Sequence, residues 1–295
     1  MDSWITDSKL LSSTSTTKDA PGGTGGAFAA AATPERSMAR EVNFGRLMGS
    51  LCQSWRVTPA PLIAIIQHQD ECPLGRLSGW LTEAGAELRF VRADLGAALP
   101  DPRAIDGLIV LGGVMGATDD AVAPWLPAVR QLIADAAASQ VPTLGICLGH
   151  QLAAVALGGR VLRNPNGKQR GLLPVGFTAD AGADPLFGPA ADAVRGVHSN
   201  NDVVVEPPGG AVVLARAPGG EVQAARFAPT TWGVQWHPEV DEEIFATWCT
   251  LDPPSDEADA QRLITEVAAA HTELEAAWRP LALRFAALCA TTSNP

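Results

Sequence analysis

From Pro61 onward the apolar positions alternate between two spacings. Leu62 to Gln67 (LIAIIQ) is a short apolar run rich in β-branched residues and predicts a strand buried on both faces. Gly75 to Ala84 (GRLSGWLTEA) carries helical spacing. Strands are predicted at 87–92, 107–111 and 142–146, and helices at 125–139 and 149–157. This β-α-β order predicts a parallel, doubly wound sheet.

The rhythm changes at Arg160. Short apolar runs separated by turn residues predict strands at 160–163, 172–177, 203–206, 211–216, 222–227 and 231–235, several of them antiparallel additions. Asp241 to Leu251 reads as a helix. Pro253-Pro254 break it, and one long helix is predicted from Glu257 to Ala290, kinked at Pro280. Ile264, Val267, His271, Leu274, Trp278, Leu281, Phe285 and Leu288 form one stripe along it. That stripe packs either on the protein's own core or against a second subunit.

Residues 1–58 differ in kind. A hydroxyl run, Ser12 to Thr17, and a Gly/Pro linker, Pro21 to Gly26, leave too little apolar surface to offset the entropy of ordering. A disordered N-terminal extension is expected there, with a start of translation near Met38, Met48 or Val57 as the alternative. The expected organisation is therefore an extension over 1–58, an α/β domain over 59–252 and a C-terminal helical extension over 253–295.

Composition narrows the partners. With 46% hydrophobic residues the chain can build a large α/β core. Thirty-two acidic against 21 basic residues leave a net charge of −11, a surface that repels nucleic acid and anionic membranes. Neither is expected as a partner. Five cysteines, at 52, 72, 147, 249 and 289, show no metal-ligand spacing, so no metal is expected. The odd number fits a reducing cytoplasm. No apolar run approaches the roughly 20 residues a membrane span needs.

One cysteine stands in a chemical setting. Gly145-Ile-Cys-Leu-Gly-His-Gln151 follows a predicted strand and opens a predicted helix, in the form G-x-nucleophile-x-G. Such a turn lifts Cys147 to the carboxyl edge of the sheet, where open α/β folds place their sites. The helix N-terminus there favours the thiolate, the reactive form. A cysteine between glycines can also be a small core residue; the strand-turn-helix context favours the nucleophile.

A cysteine nucleophile gains from a base. His237 ends a strand in Gly233-Val-Gln-Trp-His-Pro-Glu239, and residues two apart in extended chain face the same side. Glu239 can then orient His237 toward Cys147. A surface His-Pro-Glu is the alternative. His150 reads as a structural partner rather than a base. His198, in the turn-rich stretch 197–202, is balanced between loop structure and site lining.

Attack on an amide creates an oxyanion that needs N–H donors. The backbone N–H of Leu148 is one candidate, and the glycine loop Leu111 to Gly116 offers the second. That loop lacks the spacing of dinucleotide or Walker phosphate loops, so no nucleotide cofactor is expected.

Together VLGGVMG (110–116), GICLGHQ (145–151) and GVQWHPE (233–239) resemble the class I, triad-type glutamine amidotransferases, of the stand-alone GMP-synthase-glutaminase kind. The resemblance covers roughly residues 61–250. It implies a flavodoxin-like three-layer sandwich and hydrolysis of glutamine through a cysteine thioester, without a cofactor. It implies Cys147 as nucleophile, His237 as base, Glu239 as orienter, and Gly113 and Leu148 as the oxyanion hole. Gln151 resembles the position that helps hold glutamine, and His198 to Asp202 (HSNND) the loop that closes over substrate. Gln169-Arg-Gly171 departs from the Glu-Ile-Gly the family often carries. The sequence shows no SGGxDS loop and no P-loop. The resemblance thus implies a free-standing enzyme or a protein serving a separate synthetase or acceptor subunit. Two readings compete with it: a γ-glutamyl hydrolase with the same triad, and a non-enzymatic module on the same scaffold.

Overall fold

The computed structural model describes residues 60–188, 195–254 and 256–292. The extension expected over residues 1–58 lies outside the described residues. The elements in chain order are β1 (Leu62–Gln67), α1 (Arg76–Glu83), β2 (Glu87–Arg92), β3 (Gly107–Val110), α2 (Leu126–Ala138), β4 (Thr143–Ile146), α3 (Leu148–Ala156) and β5 (Arg160–Arg163). There follow β6 (Gln169–Pro174), β7 (Arg195–Asn200), β8 (Asp202–Glu206), β9 (Val212–Arg216), β10 (Val222–Ala228) and β11 (Thr231–Val234). Three helices close the chain: α4 (Glu242–Leu251), α5 (Glu257–Ala269) and α6 (His271–Thr292).

The main sheet runs β2-β1-β3-β4-β11-β10-β8-β5, with β9 added on β10. The pairs from β2 to β11 are parallel. Those from β10 outward are antiparallel. The chain thus leaves the parallel core at the change of rhythm at Arg160 and returns to it with β11, which pairs parallel with β4. Strand β1 shows why the sheet is covered on both faces. Its Ile63 and Ile65 join a core with α1, α4, α5 and α6, while Ala64 and Ile66 join one with α2 and α3. This is the expected mostly parallel, flavodoxin-like sandwich of three layers.

Two expectations need correction. The stretch around His198 is not a loop: β7 pairs antiparallel with β6 from Gln169↔Asn200 to Pro174↔Arg195. On its other edge the Val197 carbonyl accepts the His237 N–H at 2.7 Å. Its sequence, RGVHSN, has one large apolar residue, so neighbours rather than pattern make the strand. Strand β6 accordingly starts earlier than predicted, and Phe177 is left on an isolated bridge to Ala215.

The single C-terminal helix is in fact two. The Ala270 N–H is shared between the carbonyls of Glu266 and Val267, a tightening that ends α5. Pro280 sits inside α6. The apolar stripe packs on the protein's own core: Val267, Leu274, Trp278, Leu281 and Phe285 are buried there. His271 alone breaks ranks, with an exposed side chain.

Trp278 packs against Trp236 with the rings tilted by 35° and their centroids 4.9 Å apart. Trp236 precedes His237, and on its other side a Cβ at Gly196 would meet its ring at 2.7 Å. The C-terminal helix therefore buttresses the segment that carries the histidine. Trp278→Ala should cost about 3–5 kcal/mol of stability, read as a lowered denaturation midpoint in urea with the folded baseline intact.

Candidate active site

The turn from β4 to α3 is strained at its centre. Cys147 has φ 51° and ψ −102°, a left-handed conformation that non-glycine residues rarely adopt. Its N–H donates to the Val234 carbonyl at 2.8 Å, and its carbonyl accepts the Gln151 N–H at 3.1 Å. The flanking glycines are required by contact. A Cβ at Gly145 would lie 2.4 Å from the Gly149 carbonyl, and one at Gly149 would lie 2.0 Å from the Val110 oxygen. The side chain is nearly buried, yet it lines a cleft of about 260 Å³ at the carboxyl edge of the sheet. That is below the roughly 300–1,000 Å³ of sites for drug-sized ligands, so the cleft suits a molecule of amino-acid size.

His237 and Glu239 meet it from the segment that follows β11. The two side chains are 3% and 2% exposed. His237 Nδ1 bonds Glu239 Oε1 at 2.6 Å, which leaves Nε2 for another partner. Gly112 shows where that face points: a Cβ there would meet His237 Cε1 at 3.1 Å and Cys147 Cβ at 3.6 Å. Histidine and cysteine thus sit side by side against one bare stretch of backbone. Burial pushes the His237 imidazole down. The Glu239 charge and the neighbouring Cys147 outweigh it, so the ring ends well above its ordinary value. The Trp248 ring packs edge-on against it at 4.5 Å.

Gly113 and Leu148 also come together. A Cβ at Gly113 would lie 2.9 Å from Leu148 Cδ2. The loop is anchored by Gln69, whose Oε1 accepts the Val114 N–H at 2.9 Å. Gln151 lines the cleft and donates to the Asp202 carbonyl at 3.0 Å.

His198 is placed differently. Its ring is buried, with Nδ1 at 3.0 Å from the Gly196 carbonyl and Nε2 at 2.8 Å from Gln223 Oε1. Ser199 to Asp202 line the cleft and His198 does not. Burial, only partly opposed by its hydrogen bonds, lowers its pKa to about 4. His150 is buried against Phe227, with its pKa lowered by burial to about 3. Its placement under Gly233 matches a structural partner.

Several lining residues carried no sequence signal of their own, among them Cys72, Arg163, Lys168 and Trp248. Gln69 had one: it follows β1 at the same carboxyl edge. Gln235 also touches the cysteine, its Nε2 3.6 Å from Sγ. No group of His, Cys, Asp and Glu among the described residues has the arrangement of a metal site. No helix among them is long and apolar enough to cross a membrane.

The family model for class-I glutamine amidotransferases matches residues 77–247. The chain belongs to that family. It is 36% identical over 167 residues to the GMP synthase of Aeropyrum pernix, covering 53% of this chain and 29% of that one. It is 42% identical over 101 residues to a glutamine-hydrolysing GMP synthase subunit of Sulfolobus acidocaldarius, covering 34% of this chain and 52% of that one. The chain therefore spans about half or less of the length of these relatives. A crystal structure of a glutamine amidotransferase from Thermotoga maritima superposes with TM-score 0.69 at 25% identity, over 77% of this chain and 98% of that one.

Proposed function

We propose that this protein hydrolyses the side-chain amide of glutamine to glutamate and ammonia through a thioester on Cys147. The observation that carries the reading is Cys147 on its strained turn beside a buried His237–Glu239 pair, inside the region matched by the family. The raised imidazole supports a resting imidazolium beside the attacking sulfur. The sulfur attacks Cδ of glutamine, and the carbonyl electron pair moves onto oxygen. The N–H groups of Gly113 and Leu148 hold that oxyanion. Collapse breaks the C–N bond; nitrogen takes the proton from His237 and leaves as ammonia. His237 then draws a proton from water, whose oxygen attacks the thioester. The C–S bond breaks, glutamate leaves and the sulfur regains its charge. Glu239 keeps the ring oriented throughout, and Gln151 helps hold the substrate.

The ammonia is passed to a separate synthetase subunit in this reading, which the naming of the Sulfolobus relative as one subunit of a synthase supports. Incubating the purified full chain with glutamine tests the chemistry. Ammonia and glutamate should appear in equal amounts. Cleavage of a γ-glutamyl amine by a preparation that releases no ammonia from glutamine would replace this reading with a γ-glutamyl hydrolase.

A further inference from the structure

Gln235 is an unusual residue in its place. It directly follows β11, the strand of the base, is fully buried, and adjoins the strand of the nucleophile. Strands β4 and β11 run parallel with Ile146 opposite Val234. The residues that follow them, Cys147 and Gln235, therefore emerge side by side at the carboxyl edge. A buried amide has to be satisfied by hydrogen bonds. Here the partners fix which end points where. The Asp202 carbonyl can only accept, so Gln151 presents its NH2 group there, at 3.0 Å. The second N–H of that group reaches Gln235 at 3.2 Å, so Gln235 must offer its oxygen to Gln151. Its own NH2 group is thereby turned toward Cys147 Sγ, 3.6 Å away. The backbone N–H of Gln235, bonded to the Gln223 carbonyl at 2.7 Å, holds the side chain's base in place.

We propose that Gln235 is a further catalytic residue: its amide N–H donates to the sulfur of Cys147 and stabilises it in its charged form, with Gln151 fixing the direction of the donor. The proposal rests on Cys147 being the nucleophile. The donor is neutral and buried, so unlike His237 it carries no proton away and its contribution is the same in every step that leaves charge on sulfur. A hydrogen bond to a charged acceptor is stronger than one to a neutral acceptor, so losing this donor penalises the thiolate more than the thiol. The titratable groups next to the sulfur are His237 and Glu239 after β11 and Cys72 in the β1–α1 loop, and Asp119, Arg163, Lys168, Asp202 and Asp252 line the same cleft.

The test is the rate at which iodoacetamide alkylates Cys147 in the full chain, with the adduct assigned by peptide mass so that Cys72 is not counted. Gln235→Met keeps the length and loses the donor; Gln235→Asn keeps an amide but withdraws it by one methylene. Both variants should react about tenfold more slowly than wild type at neutral pH. The difference should close at strongly alkaline pH, where the thiolate forms without help. A change in fold alone would shift the rates at both pH values. If wild-type Cys147 reacts no faster at neutral pH than a free thiol, the nucleophile assignment falls and this inference with it. If wild type is fast and both folded variants match it at neutral pH, the inference alone is overturned.

Discussion

Replacing Cys147 by alanine should lower the rate of glutamine hydrolysis by at least about ten-thousand-fold, with thermal stability close to wild type. The stability expectation follows from the turn. The strain at φ 51° belongs to the backbone and to Cβ, and alanine keeps both. The contacts that demand glycine at 145 and 149 are untouched. What disappears is one sulfur atom facing the cleft. Without it no thioester forms, and the residual rate reflects only water in a site that still binds the amide. A measured loss of less than about tenfold would mean that another group attacks the substrate.

His237→Asn should reduce the same rate by about a hundred- to ten-thousand-fold. Asparagine offers hydrogen bonds but cannot carry the proton from sulfur to the leaving nitrogen. The histidine's charge state rests on its neighbours. Burial disfavours the imidazolium, while Glu239 and Cys147 restore it and push its pKa above the ordinary value. A folded value above the unfolded one stabilises the protein fully below the unfolded pKa, near 6.5, and the contribution is lost as pH rises through the folded one. In the asparagine variant that pH dependence should vanish together with most of the activity. The paired measurement is kcat/KM and the unfolding free energy across the same alkaline range.

The parallel half of the fold was legible because its inner strands, β1, β3 and β4, are buried on both faces. Runs such as LIAIIQ and GLIV have no other use in a chain of this charge. The turn that carries Cys147 was legible for a related reason: Gly145 and Gly149 are forced by contacts of 2.4 and 2.0 Å, so the constraint is written as residue type. Strand β7 was not legible, since RGVHSN has no alternation and is held by β6 and by His237. That strand also keeps His198 out of the cleft while Ser199 and Asn200 line it. The break at Ala270 lacks both glycine and proline, the residues that usually announce one. Gln235 stood inside a recognised motif but carried no sign of its role. Its contact with sulfur exists only because β4 and β11 lie side by side, a fact of topology and not of spacing along the chain.

The central claim is that Cys147 bonds covalently to the γ-carbonyl of its substrate. Mass spectrometry of the full chain, quenched in acid during turnover of glutamine, tests it most directly. A γ-glutamyl adduct should map to the peptide containing Cys147, be lost on mild alkaline treatment, and be absent from Cys147→Ala. An adduct on any other residue, or one that persists in Cys147→Ala, would contradict the account.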